Sequence, residues 1–247
     1  MSAPRRTIPI AEIFGPTLQG EGAHAGLRTM FIRTAYCDGA GEGGWCLWCD
    51  SMAAVDPKNK DKWEWLWPAE IMERLRATSR YCMRVTLSGG NPAVHDLNDL
   101  INHLRTIGYT INVETQGTIW KEWLGRCHTV TVSPKPPSAG SVCDLERLDF
   151  FMTELQHRKI STAYPILKIV VDPAEWMDIG FACDIFRRYP WVNDKYISVI
   201  TYPSDTREDI LQRYQGLAER IIHDESFGDI GVLPQLHVLL WGHTRGV

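Results

Sequence analysis

The chain has 247 residues, 44% hydrophobic and 23% charged, a balance that fits a folded globular protein and excludes a disordered or low-complexity chain. Its 26 Lys and Arg against 30 Asp and Glu leave a formal charge of -4, which speaks against a nucleic-acid binder. No run approaches the roughly 18 apolar residues of a membrane span, and Met1 to Pro9 has no apolar signal core behind it, so a cytoplasmic protein of one domain, 1–247, is expected.

Apolar runs then alternate with helix-periodic segments. Met30 to Ala35 reads as a strand and Pro68 to Ala77 as a helix with Pro68 in its first turn. Arg84 to Ser88 is a second strand, closed by Gly89-Gly90. Asp96 to Thr106 is a helix with Leu97, Leu100, Ile101 and Leu104 on one face. Thr110 to Glu114, Val130 to Ser133, Ile166 to Val171 and Tyr196 to Thr201 are further strands, the fifth preceded by an irregular region. Helices are predicted over Glu175 to Tyr189 and Thr206 to His223, the latter with Thr206 and Asp209 at capping-box spacing. Apolar strands alternating with helices predict a parallel sheet of about six strands, either a partly closed barrel or an open doubly wound sheet. In both, sites are built at the carboxyl ends of the strands, where the glycine-rich stretches fall.

Seven cysteines, an odd number in a reducing setting, argue against a disulfide framework. Cys37, Cys46 and Cys49 crowd together as C-x8-C-x2-C around a glycine-rich loop. Two thiolates at C-x2-C spacing reach one metal centre, and the loop lets a third fold back. Zinc would need a fourth ligand, for which Asp50 or His24 are candidates. A four-iron cluster on three cysteines leaves one iron open for a ligand, and buried thiols without a metal are the third reading. Cys82, Cys127, Cys143 and Cys183 are scattered and read as core fillers. Trp63, Trp65 and Trp67 alternate at period two, which suits a nucleobase platform but better suits an amphipathic strand covering the core.

The triad, with Trp48 just before the last cysteine, resembles the cluster motif of the radical S-adenosylmethionine (SAM) superfamily, its first gap longer by five residues. Ile13 to Gly22, Phe31-Ile32-Arg33, Cys49-Asp50-Ser51, Ser88 to Pro92, Glu114 to Thr118, Ser133 to Pro137 and Leu233 to Val247 resemble, in order, the 7-carboxy-7-deazaguanine synthase family, in the form found in Gram-positive bacilli. The resemblance implies a modified, incomplete β/α barrel. It implies conversion of 6-carboxy-5,6,7,8-tetrahydropterin to 7-carboxy-7-deazaguanine with loss of ammonia, on the way to deazapurines such as queuosine. A [4Fe-4S] cluster on Cys37, Cys46 and Cys49 would cleave SAM to a 5'-deoxyadenosyl radical, and SAM would be regenerated. It assigns SAM to Trp48, Cys49, Asp50, Gly90, Ser133, Pro134 and Lys135, and a magnesium ion to Ser51. It assigns the substrate to Leu18, Gln19, Gly20, Glu21, Arg33, Ser88, Glu114, His237 and Val247. A homodimer and an electron donor such as flavodoxin or ferredoxin are implied too. The inserted loop, with Glu42, either spans the longer gap or docks that donor. The rival readings are a zinc-binding structural module and another radical SAM enzyme, such as a glycyl-radical activase.

Overall fold

The computed structural model describes residues 7–39, 44–157 and 161–246. Nine strands form one sheet: β1 (Ile8–Leu18), β2 (Arg28–Thr34), β3 (Glu64–Leu66), β4 (Arg84–Gly89), β5 (Thr110–Thr115), β6 (Thr129–Val132), β7 (Tyr164–Val171), β8 (Asp194–Val199) and β9 (Gly231–Leu233). Their order is β3-β1-β2-β4-β5-β6-β7-β8-β9. From β2 to β9 every neighbouring pair is parallel, whereas β1 runs antiparallel to both β2 and β3. The parallel set is therefore seven strands rather than about six. The strand order never reverses, as it must in a doubly wound sheet, so the unclosed barrel is the alternative realised.

The helices are α1 (Met52–Val55), α2 (Pro68–Thr78), α3 (Asn98–Ile107), α4 (Leu145–Gln156), α5 (Trp176–Arg188), α6 (Arg207–Ile222) and α7 (Leu236–Trp241). The capping box at Thr206 and Asp209 forms at the start of α6. The stretch expected to be irregular before β7 contains α4, whose Leu148, Phe151, Met152 and Leu155 are buried at helical spacing. Its Asp144 side chain accepts from Arg147 N and starts the helix. Strands β1 and β9 and helices α1 and α7 also go beyond the sequence reading.

Alternation along the parallel strands divides the sheet into two faces. Met30, Ile32, Val85, Leu87, Ile111, Val113, Val130, Val132, Leu167 and Ile169 pack in the main core with the helices. The intervening residues are polar on most strands: Thr29 and Arg33, Thr86 and Ser88, Asn112 and Glu114, Thr129 and Thr131, Lys168. Register aligns Arg33 with Ser88 and Glu114 with Thr131. An apolar face thus anchors the sheet while the opposite face brings polar side chains to the strands' carboxyl ends. Trp63 is buried and donates to Ala53 O (2.9 Å), while Trp65 and Trp67 are partly exposed, so the tryptophan stripe covers the core at the β3 edge.

Candidate active site

At the carboxyl ends of the strands one cavity collects most of the singled-out residues. Its lining includes Cys37, Cys46 and Cys49, Trp48, Asp50 and Ser51, Gly90, Ser133 and Lys135. It also includes Leu18, Gln19, Gly20, Glu21, Arg33, Ser88, Glu114 and His237. Pro134 is not in the lining, and Val247 lies outside the described residues. Glu42 and two of that loop's four glycines, Gly41 and Gly43, fall in 40–43, also outside them. His24 stays out of the cavity and pairs with Thr129 Oγ1 at 3.0 Å, so it is no partner for the cysteines.

Backbone packing sets the position of Cys37. At the end of β2, Tyr36 takes a left-handed turn (φ 68°), which a non-glycine residue adopts only where its surroundings hold it. Its ring packs edge-on against Trp63 at 4.7 Å, and its carbonyl accepts from Asn91 N at 3.0 Å. Glycine is required opposite: a Cβ at Gly89 would lie 2.1 Å from Thr34 O, and one at Gly90 would lie 2.0 Å from Tyr36 O. The paired glycines are thus needed for close approach of β4 to the cysteine loop, whatever ligand they also touch.

Asp38, unremarked in the sequence, locks the same loop. It accepts from Asn91 Nδ2 (2.9 Å), Gln116 Nε2 (2.5 Å) and Thr118 Oγ1. Asn91 is fully buried and also accepts from Thr115 Oγ1 at 2.8 Å. A carboxylate from the Cys37 loop and an amide from the β4 loop therefore form this contact. The signal was available in part, since Asn91 and the Glu114 to Thr118 stretch stood out but had no partner.

The three thiols are half-buried. Burial pushes Cys37 up to about 11, and burial together with Asp50 pushes Cys49 up to about 12. Burial raises Cys46 too, and Lys135 pulls both Cys37 and Cys46 back down. Such thiols become thiolates when a metal centre supplies positive charge. Among the described residues no three His, Cys, Asp or Glu side chains form a joint metal-binding set. The thiols share a cavity and one another's field, and Asp50, the zinc reading's remaining fourth-ligand candidate, lines the same cavity. Three soft donors beside an open cavity fit a cluster with one free iron. Trp48 Nε1 donates to Ser138 Oγ (3.0 Å), which donates to Asp178, tying the last cysteine's segment to α5. Ser51 stands at the entry to α1 without capping it, and its hydroxyl donates to Asp50 Oδ1 at 3.0 Å.

The rest of the lining carries charge. Arg33 lies over the Phe14 ring at 5.4 Å, and its Nε is 3.6 Å from Glu12 with no hydrogen bond among the described residues. Glu12 also faces Arg245 at 3.7 Å, which brings the described end of the chain alongside Arg33. Glu21 receives Lys168 Nζ on one oxygen and Gln235 Nε2 (2.7 Å) on the other. Burial would raise Glu21, but Lys168 and His237 outweigh it and hold the carboxyl at about 2. Glu114 moves the other way: burial raises it more than Lys168 lowers it. Its Oε1 accepts from Gln19 Nε2 at 2.8 Å. A Cβ at Gly20 would meet His237 Nδ1 at 2.0 Å, so glycine lets α7 close on this part of the lining. Lys168 and Gln235 were missed by sequence reasoning. A lone lysine inside the apolar run of β7 was the available signal, because a buried ammonium demands partners.

Two solved structures share this fold. QueE from Escherichia coli matches with a TM-score of 0.60 and 24% identity over 94% of this chain and 95% of its own. SuiB from Streptococcus suis, solved with S-adenosylmethionine, matches with a TM-score of 0.51 and 14% identity over 83% of this chain and 47% of its own. They define the fold class: an open, mostly parallel β/α sheet that does not close into a full barrel. No protein-family model matches the chain. The 7-carboxy-7-deazaguanine synthase of Bacillus cereus is 38% identical to it over 97% of this chain and 99% of the relative. The chain belongs to the 7-carboxy-7-deazaguanine synthase family, a family of enzymes and the one its motifs resemble.

Proposed function

We propose that this chain, acting as a single domain, converts 6-carboxy-5,6,7,8-tetrahydropterin to 7-carboxy-7-deazaguanine and ammonia in a queuosine-type deazapurine pathway. The observation that carries the reading is one cavity lined both by three thiols and by Arg33, Glu21 and Glu114. Cys37, Cys46 and Cys49 would hold a [4Fe-4S] cluster. When bound, that cluster and SAM supply the radical chemistry the ring contraction needs. The chain's own work is binding and orientation. Trp48, Cys49, Asp50, Gly90, Ser133 and Lys135 line the SAM side, with Pro134 setting the backbone between the last two, and the Lys135 ammonium, 3.1 Å from Ser133 O, suits a carboxylate. Ser51 offers a hard oxygen to Mg²⁺.

Arg33 holds the substrate carboxylate, its guanidinium already turned into the site by Phe14 and Glu12. Leu18, Gln19, Gly20, Ser88 and Glu114 face the ring, His237 closes over it, and Val247 ends a tail that runs beside Arg33 as far as Gly246. Glu21 fixes the base of the pocket. The enzyme works in the cytoplasm as a homodimer reduced by a flavodoxin- or ferredoxin-like donor. No helix among the described residues is long and apolar enough to cross a membrane.

Anaerobic reconstitution of seven single Cys→Ala variants tests the reading. Loss of the brown cluster and of product only at Cys37, Cys46 and Cys49 is expected. Retention of cluster in any of those three, or a colourless protein holding zinc, refutes it.

A further inference from the structure

Lys168 sits on the inner face of β7, 5% exposed, and lines the cavity. Its ammonium has three donors but makes one hydrogen bond among the described residues, to Glu21. A buried ammonium with donors unfilled is costly, and a ligand acceptor relieves it. Glu114 lines the same cavity, and its Oε2 receives no hydrogen bond among the described residues while Oε1 is occupied by Gln19. Glu21 differs, since both its oxygens are already engaged, by Lys168 and Gln235. The pocket base therefore presents one cationic donor beside one carboxylate acceptor.

We propose that Lys168 and Glu114 together read a lactam edge, Lys168 donating to a ring carbonyl oxygen and Glu114 accepting from the adjacent ring N–H. The inference rests on the pterin reading above, because a pterin carries a 4-oxo group next to N3–H and a 2-amino group. Glu21 then acts through Lys168, as a positioning residue. The pair makes Lys168 the specificity determinant at position 4: an amino group there would meet a donor with a donor.

The test uses reconstituted protein with SAM and Mg²⁺ under anaerobic conditions. It is titrated calorimetrically with pterin-6-carboxylate and with 2,4-diaminopteridine-6-carboxylate, which replaces the carbonyl by an amino group. The natural chain is expected to prefer the 4-oxo ligand by at least about tenfold. Lys168→Met is expected to reduce that preference sharply, leaving only the part due to Glu114, which meets no N3–H in the diamino ligand. Lys168→Met combined with Glu21→Gln removes both buried charges, so it keeps the test valid where the single variant misfolds. Undiminished preference in the folded double variant, or none in the natural chain, overturns the assignment. If the natural chain binds neither ligand nor 6-carboxytetrahydropterin, the pterin reading itself falls and takes this inference with it.

Discussion

Adding one methyl group at residue 90 probes how the fold places Cys37, a proposed cluster ligand. A Cβ on Gly90 would lie 2.0 Å from Tyr36 O, 2.5 Å from Tyr36 C and 2.9 Å from Cys37 Cβ. An ordinary carbon–oxygen contact is about 3.3 Å or more, so the two loops must part by more than about 1 Å. Neither is free to yield, because Gly90 N donates to Thr34 O and Asn91 N to Tyr36 O. Overpacking of this kind costs about 1–3 kcal/mol, which a protein of ordinary stability survives. The displacement matters more than the energy, since metal–ligand distances tolerate only about 0.2 Å. Gly90→Ala is therefore expected to fold with a lowered Tm but to retain little iron and sulfide after anaerobic reconstitution. Gly180→Ala is the control, as nothing lies within 4 Å of its Cβ on α5. Full iron content and undiminished SAM binding in Gly90→Ala would refute the reasoning.

Three further outcomes follow from the same contacts. Asp38→Ala strips partners from Asn91, Gln116 and Thr118 and is expected to lower stability by about 2–3 kcal/mol. It is also expected to speed cluster loss to a chelator; an unchanged melting temperature and chelation rate would count against the anchor. Glu21 is held at about 2 against an ordinary 4.5, so its stabilisation is complete above about pH 4.5 and drains away as pH falls towards 2. Glu21→Gln should flatten the urea-measured stability profile across that window, and an unaltered slope would exclude the ion pair as its source. Arg33→Lys replaces a planar fork by a point charge and is expected to raise KM for the pterin about tenfold or more, with a smaller change in kcat. An unchanged KM would remove Arg33 from the carboxylate site.

Much of the site was legible because its chemistry is sequential. C-x8-C-x2-C and the polar stretches after strands are local patterns, and the barrel carries them to one rim. Asp38 and Lys168 were not legible as site residues because their meaning is non-local: Asp38 pairs with residues of the β4 and β5 loops, and Lys168 with Glu21 at the other end of the chain. The βα alternation was readable from apolar runs. Helix α4 was passed over although its Leu148, Phe151, Met152 and Leu155 have the period of a buried face, because Pro134, Pro136, Pro137 and the Gly140 turn before it read as irregular chain. Strand β9 has three residues, too short for alternation to register. The choice of barrel over doubly wound sheet depends on strand order, which no local pattern encodes.

The most direct trial of the account is anaerobic turnover of the reconstituted chain with 6-carboxy-5,6,7,8-tetrahydropterin, SAM, Mg²⁺ and a reductant, followed by mass spectrometry. The account requires 7-carboxy-7-deazaguanine to appear with little net loss of SAM. An intact cluster that cleaves SAM yet yields no such product would contradict it.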